Sequence, residues 1–206
     1  MKLITSIALA STILLNCAIA NAVPFSCTPF KVVLEPTKKH DFKPDASHLE
    51  AGKLAYTLTG QVFPDGEGKI TLASGATPRS TPWETLSELL AAYQAKNFKA
   101  VRGLYIPGPE SDGVVTDLSS NPQWLPMMEK MKNPCILLAY QQGNRFLAYV
   151  RFQDGELKFV LPFTFELIEK QYLISPRLPD PNLPVNWNIA LALVNFQMNP
   201  SEIIGK

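Results

Sequence analysis

The sequence predicts an α+β fold in which two to three N-terminal helices pack on a curved, cone-like antiparallel sheet, preceded by a β-hairpin and an extended arm. Two patterns lead to this prediction. Apolar residues recur at helical spacing in residues 82–106 and 122–132, and they alternate with polar residues along the predicted meander at 135–175. The 206 residues are 46% hydrophobic and 18% charged, which is typical of a folded chain and excludes intrinsic disorder.

The charges of the chain are balanced. Lys and Arg together number 19, Asp and Glu number 18, and the formal net charge is +1. A chain with so small a net charge has no strong electrostatic field to attract a polyanion. We therefore expect no nucleic-acid partner.

Residues 1–22 have the organisation of a secretory signal peptide. Lys2 precedes an apolar run, and Ala20 and Ala22 form a small-residue cleavage pattern. A second interpretation is a lipoprotein signal in which Cys17 carries the lipid anchor. No run reaches the ~20 apolar residues of a membrane-spanning helix. The sequence thus predicts an exported protein, in a bacterial periplasm or secreted, without a stable membrane span.

Removal of the signal peptide leaves two cysteines, Cys27 and Cys135. An oxidising compartment favours a disulfide bond between them. Two buried or unpaired thiols are the alternative.

Turn-forming residues divide the exported part of the chain. Residues 23–50 contain four prolines and a polar run, which predict an extended arm before a single domain at 51–206. Within that domain, two β-prone runs around residues 64–67 predict a hairpin. Residues 176–184 are a Pro-rich linker. The segment 186–198 is rich in Ala and Leu, which favours a helix, and a strand is the alternative.

Local signals bound the predicted helices. Thr81 and Glu84 form a capping box around Pro82, which suits the first helical position. The Pro-Gly-Pro run at 107–109 ends the second helix. Residues 110–120 are then predicted as a loop before the third helix.

Turn positions set the predicted register of the meander. One strand has an apolar face made by Phe146, Ala148, Val150 and Phe152. A turn at 154–155 places Phe152 opposite Leu157, and a turn at 143–144 places Ala139 opposite Ala148. The same register points Cys135 into the core. Pro162 predicts a bulge or a sheet edge.

Two passages resemble the nuclear-transport-factor-2-like superfamily. They are the helix from Asn97 that ends in Leu-Tyr-Ile-Pro at Pro107, and the final strand Tyr172-Leu173-Ile174. The resemblance covers about residues 80–175. It implies a cone whose helices close an internal pocket, but the superfamily includes isomerases, dehydratases and non-catalytic binding modules, so it implies no single activity.

The sequence lacks a recognisable catalytic set. His40 and His48 lie in the predicted arm, which offers no rigid framework to hold a metal ion. A nucleophilic cysteine needs a base beside it, and both histidines are confined to this arm. Neither a Gly-rich phosphate loop nor a Gly-x-Ser-x-Gly motif occurs. We therefore predict no catalytic residues, no metal and no cofactor.

Five residues are the candidate ligand contacts. Arg145, Tyr149 and Arg151 share the strand face opposite the apolar one, and Tyr93 and Tyr140 are expected close to them. If that face lines a cone, these side chains can bind a small anionic or amphipathic ligand. The alternative is an ordinary face turned to water.

These observations favour an exported, non-catalytic envelope protein that acts as a binding or assembly module for a small ligand or a partner protein. The alternative is a small exported enzyme of the isomerase or dehydratase type with a Tyr/Asp pocket. A third interpretation is a structural subunit that forms a homodimer through an exposed apolar patch.

Overall fold

The structure, a computed structural model, covers most of the chain beyond its N-terminal segment. The residues that it describes are 27–37, 41–63, 67–177, 180 and 182–205. The predicted signal peptide at residues 1–22, with the alternative lipid site at Cys17, lies outside the described residues, and so does His40.

Within these described residues, seven antiparallel strands form one sheet, in the order β1-β3-β4-β5-β6-β7 with β2 paired to β3. The strands are β1 (Thr28–Leu34), β2 (Leu49–Glu50), β3 (Lys53–Val62), β4 (Cys135–Gln142), β5 (Arg145–Asp154), β6 (Leu157–Ile168) and β7 (Gln171–Ile174). The predicted arm therefore contributes β1 and β2 to the sheet.

In the part of the chain that the structure describes, four helices lie between β3 and β4, and two more follow β7. The first group comprises α1 (Pro82–Gln94), α2 (Phe98–Leu104), α3 (Pro109–Ser120) and α4 (Trp124–Glu129). The second comprises α5 (Pro184–Ala190), which continues as a π-helical turn (Leu191–Asn195), and α6 (Pro200–Ile203). The predicted capping box of α1 is confirmed, because Thr81 accepts from the Glu84 N–H and Glu84 accepts from the Thr81 N–H.

Helices cover both faces of the sheet. On the front face, Phe146, Ala148, Val150 and Phe152 of β5 pack in one core with α1 to α4. On the back face, Leu147 and Tyr149 pack in a second core with α5, the π-helical turn and α6. Because side chains alternate along a strand, one central strand contributes to both cores.

The predicted fold, with N-terminal helices on a cone-like sheet, is therefore wrong. Strands come first, the helices at 82–129 lie between β3 and β4, and the remaining strands complete the same sheet. The pattern of β5 shows one apolar face, but it does not show which distant segment covers the other. That face is covered by the C-terminal helices, whose helical assignment over the strand alternative is confirmed at 184–195.

Two local predictions also differ from the structure. Residues 54–63 and 68–73 do not form a hairpin, because β3 pairs with β1 and β4 on its two sides. Residues 110–120 are not a loop but belong to α3, which begins with Pro109 at its first position and has Glu110 in its first turn. Both features favour a helix start.

The register of the meander was predicted in part. Ala139 lies opposite Ala148 as expected, although an irregularity between Ile136 and Leu138 shifts the pairing beyond it. Phe152 pairs with Phe159 and not with Leu157. This slip of two positions keeps the same side chains on the same face. Pro162 lies at the predicted sheet edge, since β7 pairs only with residues 165–168 of β6.

Candidate functional site

Tyr93, the first candidate contact, is a core residue on the front side of the sheet. It is 4% exposed, and its hydroxyl lies 3.3 Å from the hydroxyl of Tyr105. Burial raises the pKa of Tyr93 well above its ordinary value of 10.0. A tyrosine so enclosed anchors α1 to the segment after α2 and is not exposed to a ligand.

Tyr140 and Tyr149 are core residues of the back face. Their rings stack with centroids 6.5 Å apart, and the Tyr140 hydroxyl donates to Asn186 Oδ1 over 2.9 Å. Both are fully buried, and burial is the main cause that raises the pKa of each hydroxyl. The face that carries them lines no cone, because helix α5 and the segment after it cover it.

Of the two candidate arginines, Arg145 is the first residue of β5 and Arg151 lies six positions further along the strand. Arg151 is half-buried and lies in register with Val160. Arg145 donates from Nε to Glu166 Oε1 over 2.9 Å, with the two residues directly opposite each other on β5 and β6. Of the five predicted contacts, Arg145 alone lines the groove described next.

A groove of about 400 Å³ lies where the start of α3 meets the ends of β5 and β6. Its walls are residues 106–111, Arg145 with Glu166, and residues 175–177. The Ile106 N–H donates to the Ile174 carbonyl over 2.9 Å, which holds the turn before α3 against β7. Gly108 has a φ of +148°, a conformation that favours glycine and allows the sharp turn into α3. We call this the α3 groove.

Two arginine–glutamate pairs make the α3 groove electrically balanced. Arg145 pairs with Glu166 inside it, and Arg177 donates from Nε and Nη2 to the two oxygens of Glu110, each over 2.8 Å. The hydrogen bonds from Arg177 hold the pKa of Glu110 below its ordinary value. Both carboxyl groups therefore act as hydrogen-bond acceptors within ion pairs.

The first turn of α3 brings unpaired donors to the α3 groove. Its N-cap is Gly108, which has no side chain to cap the helix, and the backbone N–H groups of Glu110 and Ser111 have no acceptor among the described residues. Ser111 is 1% exposed, lines the groove, and its hydroxyl makes no hydrogen bond within the described chain. Free N–H groups are usual in the first turn of a helix, and the Ser111 oxygen is not among the fully enclosed side-chain atoms that lack a partner, so these donors are accessible from the groove.

Cys27 and Cys135 are free thiols, Cys27 exposed and Cys135 buried. Thr28 lies opposite Gly60, and Gly60 lies opposite Tyr140. Cys27 is therefore level with the C-terminal end of β4, whereas Cys135 is at the N-terminal end of that strand. At ~3.3 Å per residue this separates them by roughly 15 Å along the strands. A disulfide requires Cα atoms within about 7 Å, so the structure does not support the predicted bond.

The described part of the predicted arm places His48 in an exposed 3-10 turn (Ala46–His48). Its Nδ1 lies 3.0 Å from Asp45 Oδ2 and 3.0 Å from Ser47 Oγ. Among the described residues, no group of three or more His, Cys, Asp or Glu is arranged to hold a metal ion.

Sequence reasoning missed most of the α3 groove. Glu166, Ser111 and Arg177 come from separate elements, and their proximity depends on the pairing of β6 with β7 and on the placement of α3. The one local signal is Pro-Gly-Pro-Glu-Ser at 107–111, which has the glycine turn and first-position proline of a helix start without a capping side chain.

Comparison with protein-family models and with curated proteins gives no match to this chain. The resemblance to the nuclear-transport-factor-2-like superfamily stays a prediction. In the described residues, every helix is too short or too polar to cross a membrane.

Proposed function

We propose that this protein is a non-catalytic binding module that holds a small charged molecule in the α3 groove. The observation that carries the proposal is the set of unpaired donors at the first turn of α3, which comprises two backbone N–H groups and the hydroxyl of Ser111 in the lining of the groove. A helix N-terminus carries a partial positive charge and free N–H groups, which suit a carboxylate or phosphate oxygen. The groove's 400 Å³ suits a small molecule.

The charged groups of the groove support binding over catalysis. Arg145, Glu166, Glu110 and Arg177 are all engaged in ion pairs, so the carboxylates are hydrogen-bond acceptors rather than bases directed at a substrate. The tyrosines Tyr93, Tyr140 and Tyr149 lie in the two cores, away from the groove. A Tyr/Asp site of the isomerase type therefore has no support here.

The signal-like residues 1–22 support an exported location for this binding module. The free thiols of Cys27 and Cys135 neither support an exported location nor exclude it, because exported proteins also contain unpaired cysteines. We place the module in the cell envelope or outside the cell on the N-terminal pattern alone.

Calorimetric titration of the full chain tests the proposal. The probes are acetate, inorganic phosphate, ethylammonium, L-alanine and 4-aminobutyrate, each with wild type, Ser111→Ala and the control Ser119→Ala at the exposed end of α3. We expect at least one probe to bind with a dissociation constant below about 1 mM, and Ser111→Ala to weaken it about threefold to tenfold. Absence of binding by all five, or equal weakening by Ser119→Ala, overturns the proposal.

A further inference from the structure

The α3 groove contains acceptors as well as donors. Glu166 Oε1 accepts from Arg145, whereas Oε2 of the same carboxylate accepts no hydrogen bond within the described chain. Both oxygens of Glu110 are already used by Arg177. Among the unpaired groups of the groove in the described chain are therefore N–H and O–H donors at the first turn of α3 and one carboxylate oxygen on Glu166.

A ligand with a single charge meets a like charge in this groove. An anion at the first turn of α3 approaches the carboxylates of Glu110 and Glu166, and a cation at Glu166 approaches Arg145, Arg177 and the positive end of the α3 dipole. Like charges at short range in a partly enclosed site are unfavourable. A molecule that carries both charges places each one beside its complement.

We infer that the ligand of the α3 groove is a small zwitterion, an amino acid or a related ammonium carboxylate. Its carboxylate accepts from the N–H groups of Glu110 and Ser111 and from the Ser111 hydroxyl, and its ammonium group donates to Glu166 Oε2. This inference rests on the proposed function, because it assigns the ligand class of the same groove.

The roles of the two arginines follow from their exposure. The side chains of Arg145 and Glu166 are 31% and 19% exposed, so this pair is fixed between two strands and holds the Glu166 carboxylate in place. The side chains of Arg177 and Glu110 are 63% and 57% exposed. Ion pairs so open to solvent contribute little stability, so the Arg177 side chain can reorient towards a bound carboxylate at small cost.

The test compares zwitterions with their separate halves. L-alanine and 4-aminobutyrate differ in the spacing of the two charges, and acetate and ethylammonium each carry one. All four are titrated into the full chain of wild type, Glu166→Gln and the control Glu156→Gln in the exposed β5–β6 turn. We expect one zwitterion to bind at least about tenfold more tightly than acetate and ethylammonium.

Glu166→Gln should remove this preference by weakening the zwitterion while leaving acetate affinity equal or higher. Glu156→Gln should change nothing. If acetate or ethylammonium binds as tightly as both zwitterions, or if Glu166→Gln leaves the preference intact, the zwitterion inference is overturned and the binding function stands. If none of the probes binds, both proposals fail.

Discussion

A hydroxyl that lines the α3 groove and has no partner in the described chain is the residue-scale feature on which the binding proposal depends. Ser111 is 1% exposed and makes no hydrogen bond within the described chain. A ligand in the groove supplies the hydrogen-bond partner that this hydroxyl lacks within the described chain.

Ser111→Ala should therefore leave the free energy of unfolding unchanged or raise it by up to about 1 kcal/mol, because the substitution breaks no hydrogen bond within the described chain and Ala favours a helix. Urea denaturation of the probe-free protein measures this change, with Ser119→Ala as control. Clear destabilisation by Ser111→Ala would show that the hydroxyl already has a partner in the free protein.

A second residue-scale feature is the partly buried carboxylate of Glu88. Burial alone would raise its pKa, but hydrogen bonds from Arg79 and Thr77 outweigh burial and bring the pKa below the ordinary 4.5. The folded-state pKa is thus lower than that of the unfolded chain. The resulting stability is fully present above pH 4.5 and is lost as the pH falls through the folded-state pKa.

Glu88→Gln should make unfolding less dependent on pH below 4.5, and should cost about 1.5–3 kcal/mol at neutral pH because Arg79 loses a charged partner. Urea denaturation from pH 7 to pH 3 measures both effects, and Glu156→Gln in an exposed turn is the matched control. An unchanged pH dependence in Glu88→Gln contradicts this description of the carboxylate.

At the scale of elements, the sequence predicted those features of helices and strands that depend on residues close together in the chain. The Thr81–Glu84 capping box and the alternation in β5 each depend on neighbouring residues, and the structure contains both. The pairing of β1 with β3 was missed, because the two strands are far apart in the sequence and β-propensity does not indicate which strand pairs with which. Helix α3 was missed because its Ser, Asp and Gly113 have low helix propensity.

Of the residues that line the α3 groove, only Arg145 was among the five predicted ligand contacts, because the groove also depends on contacts between distant segments. Alternation correctly placed Arg145 and Tyr149 on the same face of β5, but it could not show that α5 covers Tyr149 while the α3 turn leaves Arg145 beside a groove. That difference depends on tertiary packing of segments far apart in the chain.

Close contact between β3 and β4 gives an element-scale prediction. A Cβ added at Gly60 would lie 2.1 Å from the Ala139 carbonyl oxygen and 2.6 Å from Tyr140 Cα, and backbone atoms cannot move aside easily. Gly60→Ala should destabilise the protein by about 3 kcal/mol. In contrast, Gly103→Ala in α2 meets no atom within 4 Å and should stabilise by about 0.5–1 kcal/mol.

Chemical denaturation of both glycine variants measures the two effects. Equal and small changes for Gly60→Ala and Gly103→Ala would contradict the β3–β4 packing on which the sheet order rests.

At the scale of the whole molecule, one sheet joins two helical layers, and segments from elsewhere in the chain lie along both of its edges. The N–H of Gly205 donates to the Lys31 carbonyl beside β1, and the N–H groups of Ile106 and Tyr172 bond across the edge at β7. Covered edges protect a sheet from pairing with other chains.

Asn188 connects the back-face layer to both the sheet and the N-terminal segment. Its Oδ1 accepts from the Lys43 N–H over 2.7 Å, and its Nδ2 donates to the Lys43 carbonyl and to Tyr56 Oη over 3.0 and 2.8 Å. Asn188→Ala should cost about 2–4 kcal/mol, because three hydrogen bonds are lost and buried groups stay unsatisfied.

Hydrogen exchange followed by mass spectrometry should show faster exchange around Lys43 in Asn188→Ala, with exposed Asn195→Ala as the control. Loss of protection confined to α5 would contradict a direct connection to the N-terminal segment.

The central claim, that the α3 groove is a ligand site, is tested most directly by mapping where a probe binds. Acetate and L-alanine are titrated into the ¹⁵N-labelled full chain, and the shifts of its amide signals are followed. The largest saturable shifts should occur at Glu110, Ser111 and Arg177. Saturable shifts centred elsewhere, such as at the exposed Trp187 of α5, or the absence of saturable shifts in the groove, would contradict the claim.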